Sequence, residues 1–131
     1  MSGITDLDEL LRSMSPKLVE SEFVFCTVSG SLTEYTELNP VATFIEPEGL
    51  TLVIERSVAE KHGLPFEGAY SQITLTVHSS LEAVGLTAAV SSKLAEKGIS
   101  ANVIAAYYHD HIFVQTSKAQ AAMSALNQFS C

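Results

Sequence analysis

Two hydrophobic periodicities take turns along the chain. The first is alternation, the mark of a half-buried strand. In "SQITLTVH" (Ser71–His78), Ile73, Leu75 and Val77 alternate with Thr74 and Thr76. "FVFCTV" (Phe23–Val28) is β-branched and aromatic. "ATFI" (Ala42–Ile45) and "LTLVIE" (Leu50–Glu55) flank "EPEG" (Glu46–Gly49). Pro47 and Gly49 occupy the second and fourth positions of a type I turn, which predicts a hairpin. "ISANVIAAYY" (Ile99–Tyr108) and "HIFVQT" (His111–Thr116) flank His109 and Asp110 and predict a second hairpin.

The second periodicity is helical. Leu7, Leu10, Leu11 and Met14 form one stripe that stops before Pro16. A short helix ends at Gly63. A third runs from about Leu81 to Lys97, with Ala83, Leu86, Val90 and Leu94 at helical spacing and Gly98 just beyond its end. A fourth carries Ala119, Ala122, Met123 and Leu126 along one side. Capping-box patterns precede all four: Thr5/Asp8, Ser57/Glu60, Ser79/Glu82 and Ser117/Gln120. Gly85 is the odd residue. It falls inside the first turns of the third helix, where glycine costs about 1 kcal/mol relative to alanine.

The element order gives the domain organisation. Residues 1–63 read helix, strand, strand, strand, helix. From Ser71 the order is strand, helix, strand, strand, helix, one strand short of a βαββαβ unit. "GLPFEGA" (Gly63–Ala69) is the junction. The expectation is an α+β, ferredoxin-like sandwich of two halves, 1–66 and 67–131, that lie side by side and share or exchange a strand.

Charge narrows the function classes. The chain of 131 residues carries a net charge of -8. Residues 1–66 hold eleven Asp/Glu against four Lys/Arg, and residues 67–131 four against three. Without a basic patch, nucleic acid and anionic membrane surfaces are poor partners. No apolar stretch has the length of a membrane span, and "MSGITDLDELL" lacks a signal peptide's basic and apolar regions. The expected location is cytoplasmic. Cys26 reads as a buried thiol and the terminal Cys131 as a loose one.

Candidate chemistry is sparse. On a strand, His109 and His111 would point the same way and could grip a metal. A tight turn would splay them, no third ligand lies nearby, and exposed turn imidazoles are the plainer reading. Tyr107 and Tyr108 are expected one per face, one in the core and the other at the surface or an interface. "TEYTE" (Thr33–Glu37) reads as an exposed acidic loop. No nucleophile–base set, phosphate-binding glycine motif or cofactor signature occurs. The loop Ser79–Gly85 joins a strand end to a helix start, where free N–H groups favour an anion such as a carboxylate. Ser79 and Ser80 add hydroxyls, and Glu82 could meet an α-amino group. A capped helix start accounts for the same residues without a ligand.

"ITLTVHSSLEAVGLTAAVSSKLAEKGISANVIAAYYHDHIFV" resembles ACT domains. In that family a strand leads through a short loop into a helix with a Gly-Leu or Gly-Val step, here Gly85-Leu86. The helix ends in a Gly-Ile or Gly-Val turn followed by an Asn, here Gly98-Ile99 and Asn102. The whole chain looks like small bacterial proteins with two ACT-like halves. These are similar to the regulatory tail of aspartate kinases and to cytosolic arginine sensors. The resemblance implies a ferredoxin-like sandwich, side-by-side pairing and non-enzymatic binding of a small molecule, usually an amino acid, at the pairing interface. In serine-binding members the loop begins His-x-Asn. His78 matches the His, Ser80 stands at the Asn, and Asn102 matches the Asn that contacts ligand from the facing strand. The implied site is therefore His78, Ser79, Ser80, Leu81, Glu82, Ala83, Val84 and Gly85 with Asn102, with no cofactor and with homo-oligomer formation through ACT pairing. A ligand-free protein–protein interaction module, acting through an unidentified partner, and a metal-dependent enzyme using His109 and His111 are the alternatives.

Overall fold

The computed structural model describes residues 6–77 and 85–130. Among them the chain forms α1 (Leu7–Ser13), β1 (Pro16–Val28), β2 (Ala42–Glu46), β3 (Gly49–Glu55), α2 (Arg56–Lys61), β4 (Tyr70–Leu75), α3 (Leu86–Glu96), β5 (Asn102–Ala105), β6 (Asp110–Gln115) and α4 (Ala119–Asn127). The fold is α+β and ferredoxin-like. Contact density separates two compact units. One joins the chain up to Glu20 with the chain from Ser71 onward, and the other is Ser21–Tyr70. The strand β1 is common to both descriptions.

In the first unit the strand order is β1-β4-β6-β5. β5 and β6 are antiparallel, with Asn102 opposite Phe113 and Ala105 opposite Asp110. The strand that the sequence leaves missing after α4 has its place taken by the start of β1. Adjacent to that start, the Thr76 backbone N–H and hydroxyl both donate to the Ser15 carbonyl, the former at 3.0 Å. Ile73 and Leu75 on β4, and Ile112 and Val114 on β6, turn to one face. Leu10 and Met14 of α1, Leu86, Val90 and Leu94 of α3, and Ala122, Ala125 and Leu126 of α4 cover them. Each buried Leu or Ile contributes about 1.5–3 kcal/mol by leaving water. Small residues on α4 let that helix lie close.

The second unit has the order β2-β3-β1, antiparallel throughout. The first predicted hairpin is present, with Glu46 opposite Gly49 across Pro47-Glu48. Its core is Val24, Cys26, Leu38, Leu50, Leu52, Ile54 and Ala59. The Cys26 thiol is free, and burial raises its pKa.

Several expectations need correction. β1 begins at Pro16, seven residues ahead of "FVFCTV", because a proline is tolerated as a strand's first residue and pairing, not propensity, holds the extension. "TEYTE" is exposed as expected, apart from a half-buried Tyr35, and what the sequence did not show is that it lies across two 3₁₀ turns, Leu32–Glu34 and Thr36–Leu38. Ser31 and Glu34 form a capping box at the first of these turns, in which Glu34 accepts the Ser31 N–H at 2.9 Å. The Ser57/Glu60 box does not form. β3 runs directly into α2, and Glu60 instead accepts from Arg56 at 3.2 Å. The Ser117/Gln120 box does not form either, since Ser117 lies within a 3₁₀ turn and α4 starts behind Lys118 without a side-chain cap. α1 is capped by Asp6, whose carboxylate accepts the Glu9 N–H at 2.9 Å. Thr5 and the Ser79/Glu82 box lie outside the described residues.

Candidate functional site

The candidate loop leaves β4 and enters α3. At the β4 side, Val77 is buried and its N–H bonds the Leu75 carbonyl at 2.9 Å. His78, Ser79, Ser80, Leu81, Glu82, Ala83 and Val84 lie outside the described residues. At the other side, α3 starts at Leu86 and Gly85 is its N-cap, with φ 98° and ψ -17°. Gly85 is therefore at the helix boundary, not in its interior. An L side chain in this left-handed region costs roughly 1–2 kcal/mol, so the glycine answers a backbone requirement. A Cβ there would also stand 3.1 Å from Leu7 Cδ2. The Gly85 carbonyl accepts the Ala89 N–H at 2.8 Å, closing the first turn. Among the described residues no side chain caps this end of α3. The first N–H groups of a helix have no intrahelical acceptor, and here the cap residue offers none.

Asn102 opens β5. Its side-chain amide donates to the Phe113 carbonyl at 3.1 Å, directly across the β5–β6 pair. One donor of the predicted ligand contact thus already ties two strands together, while the residue itself stays exposed.

His109 and His111 are not exposed turn residues, as the sequence suggested. The tip of the β5–β6 hairpin is Tyr107-Tyr108, and the Ala106 N–H bonds the His109 carbonyl at 3.0 Å behind it. Both tyrosines are exposed, at 67% and 63%, and stack edge-to-face with centroids 5.0 Å apart. Neither enters the core, because the tip extends past the strands. His109 is half-buried with Nδ1 3.4 Å from the Val77 carbonyl, so that nitrogen carries the proton. His111 is half-buried on the sheet face opposite the helices. Its Nδ1 lies 3.0 Å from the Thr74 hydroxyl and 3.3 Å from the Gln72 amide nitrogen, which also donates to Thr74 at 3.2 Å. An amide N–H only donates, so Nδ1 accepts and a neutral imidazole fits. Burial first, then the charge of His109, lowers the His111 pKa, against a smaller opposing pull from Asp110. Burial raises the pKa of Asp110, against the two histidines. The Nδ1 atoms of the two rings are directed to different partners. Among the described residues no group of three or more His, Cys, Asp or Glu is placed to hold a metal ion.

This polar set of Gln72, Thr74 and His111 escaped the sequence reading. The signal was present as the polar half of the β4 alternation. The pairing partner on β6 was not, because register between distant strands is set in three dimensions.

The fold and the strand–loop–helix region define an ACT-type α+β module. The chain belongs to the ACT domain family: one ACT domain model matches residues 2–71 and a second matches residues 67–128. It is similar to a crystal structure of a Vibrio cholerae protein of unknown function, described as a possible transport protein, at 62% identity over 99% of this chain and 100% of that one, with a TM-score of 0.90. It is also similar to an Agrobacterium tumefaciens protein at 14% identity, covering 89% of both chains, with a TM-score of 0.71. The regulatory subunit of aspartate kinase from Thermus thermophilus, in its ligand-free form, matches at 8% identity over 86% of this chain and 95% of that one, with a TM-score of 0.59. The last two likenesses are likenesses of fold. No curated protein matches the chain. Family membership supports a regulatory module, of the kind that binds small molecules, as the class of this protein.

Proposed function

We propose that this chain is a non-enzymatic regulatory module that binds an amino acid or a similar small metabolite. The site is His78–Gly85 with Asn102, and the working halves are 1–66 and 67–131. The observation that carries the reading is the pair of ACT domain matches, spanning residues 2–71 and 67–128. The start of α3 supports it. A helix of 11 residues whose cap is a glycine leaves first-turn N–H groups and the positive dipole end for a carboxylate. The ligand shifts the balance between arrangements of paired ACT-like halves or of copies of the chain, which is how an effector acts. A cytoplasmic setting goes with the free thiol of Cys26.

A thermal-shift screen of the twenty common amino acids tests this. A ligand at one hundred times its Kd stabilises a folded chain by about 2.7 kcal/mol. For a domain of this size that raises Tm by roughly 10 °C. No shift with any amino acid at millimolar concentration removes the amino-acid reading.

A further inference from the structure

The second unit carries an exposed sheet edge. Among the described residues β2 has a single strand neighbour, β3, and stands at the end of the strand order. Phe44 is 69% exposed and Ile45 83%, with Val41 and Leu32 also exposed beside them. Ile45 pairs with Leu50 and so lies on the face that buries Leu50 and Leu52, yet no core residue covers it. A groove of about 340 Å³ opens there between Val28, Leu32, Ile45 and Leu50, with Ser29 and Glu46 at its polar side. Edge strands are normally blunted by lysine, proline or a bulge. β2 has no lysine or proline of its own, and the chain holds no Lys or Arg anywhere from Leu18 to Glu55.

Charge decides what fits. Residues 21–70 carry eight Glu against Arg56 and Lys61. Both cations lie outside the groove, and Arg56 is already paired with Glu22 at 3.0 Å and Glu60 at 3.2 Å. Glu34, Glu46 and Glu48 are all exposed: Glu46 lines the groove, Glu34 is bonded to the N–H of its lining residue Ser31, and Glu48 stands in the β2–β3 turn beside the lining residue Gly49. A second copy paired through the same edge would bring the same excess of carboxylates to a rim with no cation to answer them. We infer that the β2 edge docks an extended segment of a partner protein in which basic residues alternate with β-branched ones. The segment adds a strand to β2, sets an apolar side chain into the groove by Ile45, and lays its cations against Glu46 and Glu48. This surface shares no residue with the proposed amino-acid site.

The test is fluorescence anisotropy with the full chain and a labelled octapeptide of alternating Lys and Val. A matched peptide with Glu for Lys serves as control. The Lys peptide is expected to bind saturably and to weaken severalfold between about 0.02 M and 0.3 M salt, as screening sets in. Ile45→Thr, which changes no charge at an exposed position, is expected to weaken it at least threefold, and Glu48→Gln similarly. Glu67→Gln, remote in sequence from the groove residues, should leave it unchanged. Unchanged circular dichroism of each variant keeps folding out of the comparison. Equal loss with Glu67→Gln, binding untouched by Ile45→Thr, or no saturable binding overturns the proposal. So does sedimentation equilibrium that finds a dimer which Ile45→Lys dissociates, since a second copy would then occupy the edge.

Discussion

Alanine at position 85 separates two accounts of the glycine by the sign of its effect. Were Gly85 inside a helix, alanine would stabilise the chain by about 1 kcal/mol. The structure sets φ at 98°, at the helix boundary. An alanine held there costs roughly 1–2 kcal/mol of backbone strain. The contact of its Cβ with Leu7 Cδ2, at 3.1 Å, adds little, because the far end of a leucine side chain can give by a few tenths of an ångström. Gly85→Ala is therefore expected to destabilise by about 1–2 kcal/mol, a fall in Tm of roughly 4–7 °C at this chain length. Urea unfolding and calorimetry of the two proteins read it directly. Gly85→Asn, whose side chain tolerates the left-handed region, should lose less. Gly85→Ala combined with Leu7→Ala should retain the strain component, so the two effects should nearly add. An alanine variant as stable as the parent, or more so, would refute the boundary conformation of Gly85 and with it the support it lends to the proposed carboxylate site.

Two further perturbations follow from the same unit. His111 has its folded pKa below the ordinary 6.5, so the unfolded chain takes up its proton first as pH falls. Its contribution to stability is present above about pH 6.5 and is lost on acidification through the lower folded value, whereas Asp110, raised by burial, acts in the opposite sense in a more acidic window starting near its ordinary 3.8. His111→Gln should flatten the dependence of urea midpoint on pH between neutrality and mild acid, and an unchanged slope would assign that dependence elsewhere. Asn102→Ala removes the bond to the Phe113 carbonyl and should cost about 0.5–1.5 kcal/mol. If the proposed site is right it also abolishes the thermal response to the amino acid that stabilises the parent, while a retained response removes Asn102 from the site.

What could be read from the chain was local. Alternation located β4, because each apolar residue of Ile73 and Leu75 must turn the same way to leave water. "EPEG" located the β2–β3 turn, since a proline and a glycine restrict the backbone within four residues. The helical stripes of α3 and α4 were visible for the same reason, and Leu86, Val90, Leu94, Ala122 and Leu126 are buried as their spacing required. Tertiary structure decided the rest. Pro16–Glu22 is strand because of the partners it meets, not because its residues favour strand. Capping boxes are short patterns that any segment can carry, and two of them lost to a strand running straight into a helix and to a 3₁₀ lead-in. The neighbours of His111, the exposure of Tyr107 and Tyr108, and the uncovered Ile45 all depend on which distant segments come to lie beside them. A local pattern states what a residue needs, whether water or shelter. Only the folded chain, which brings together residues far apart in sequence, states which neighbour supplies it.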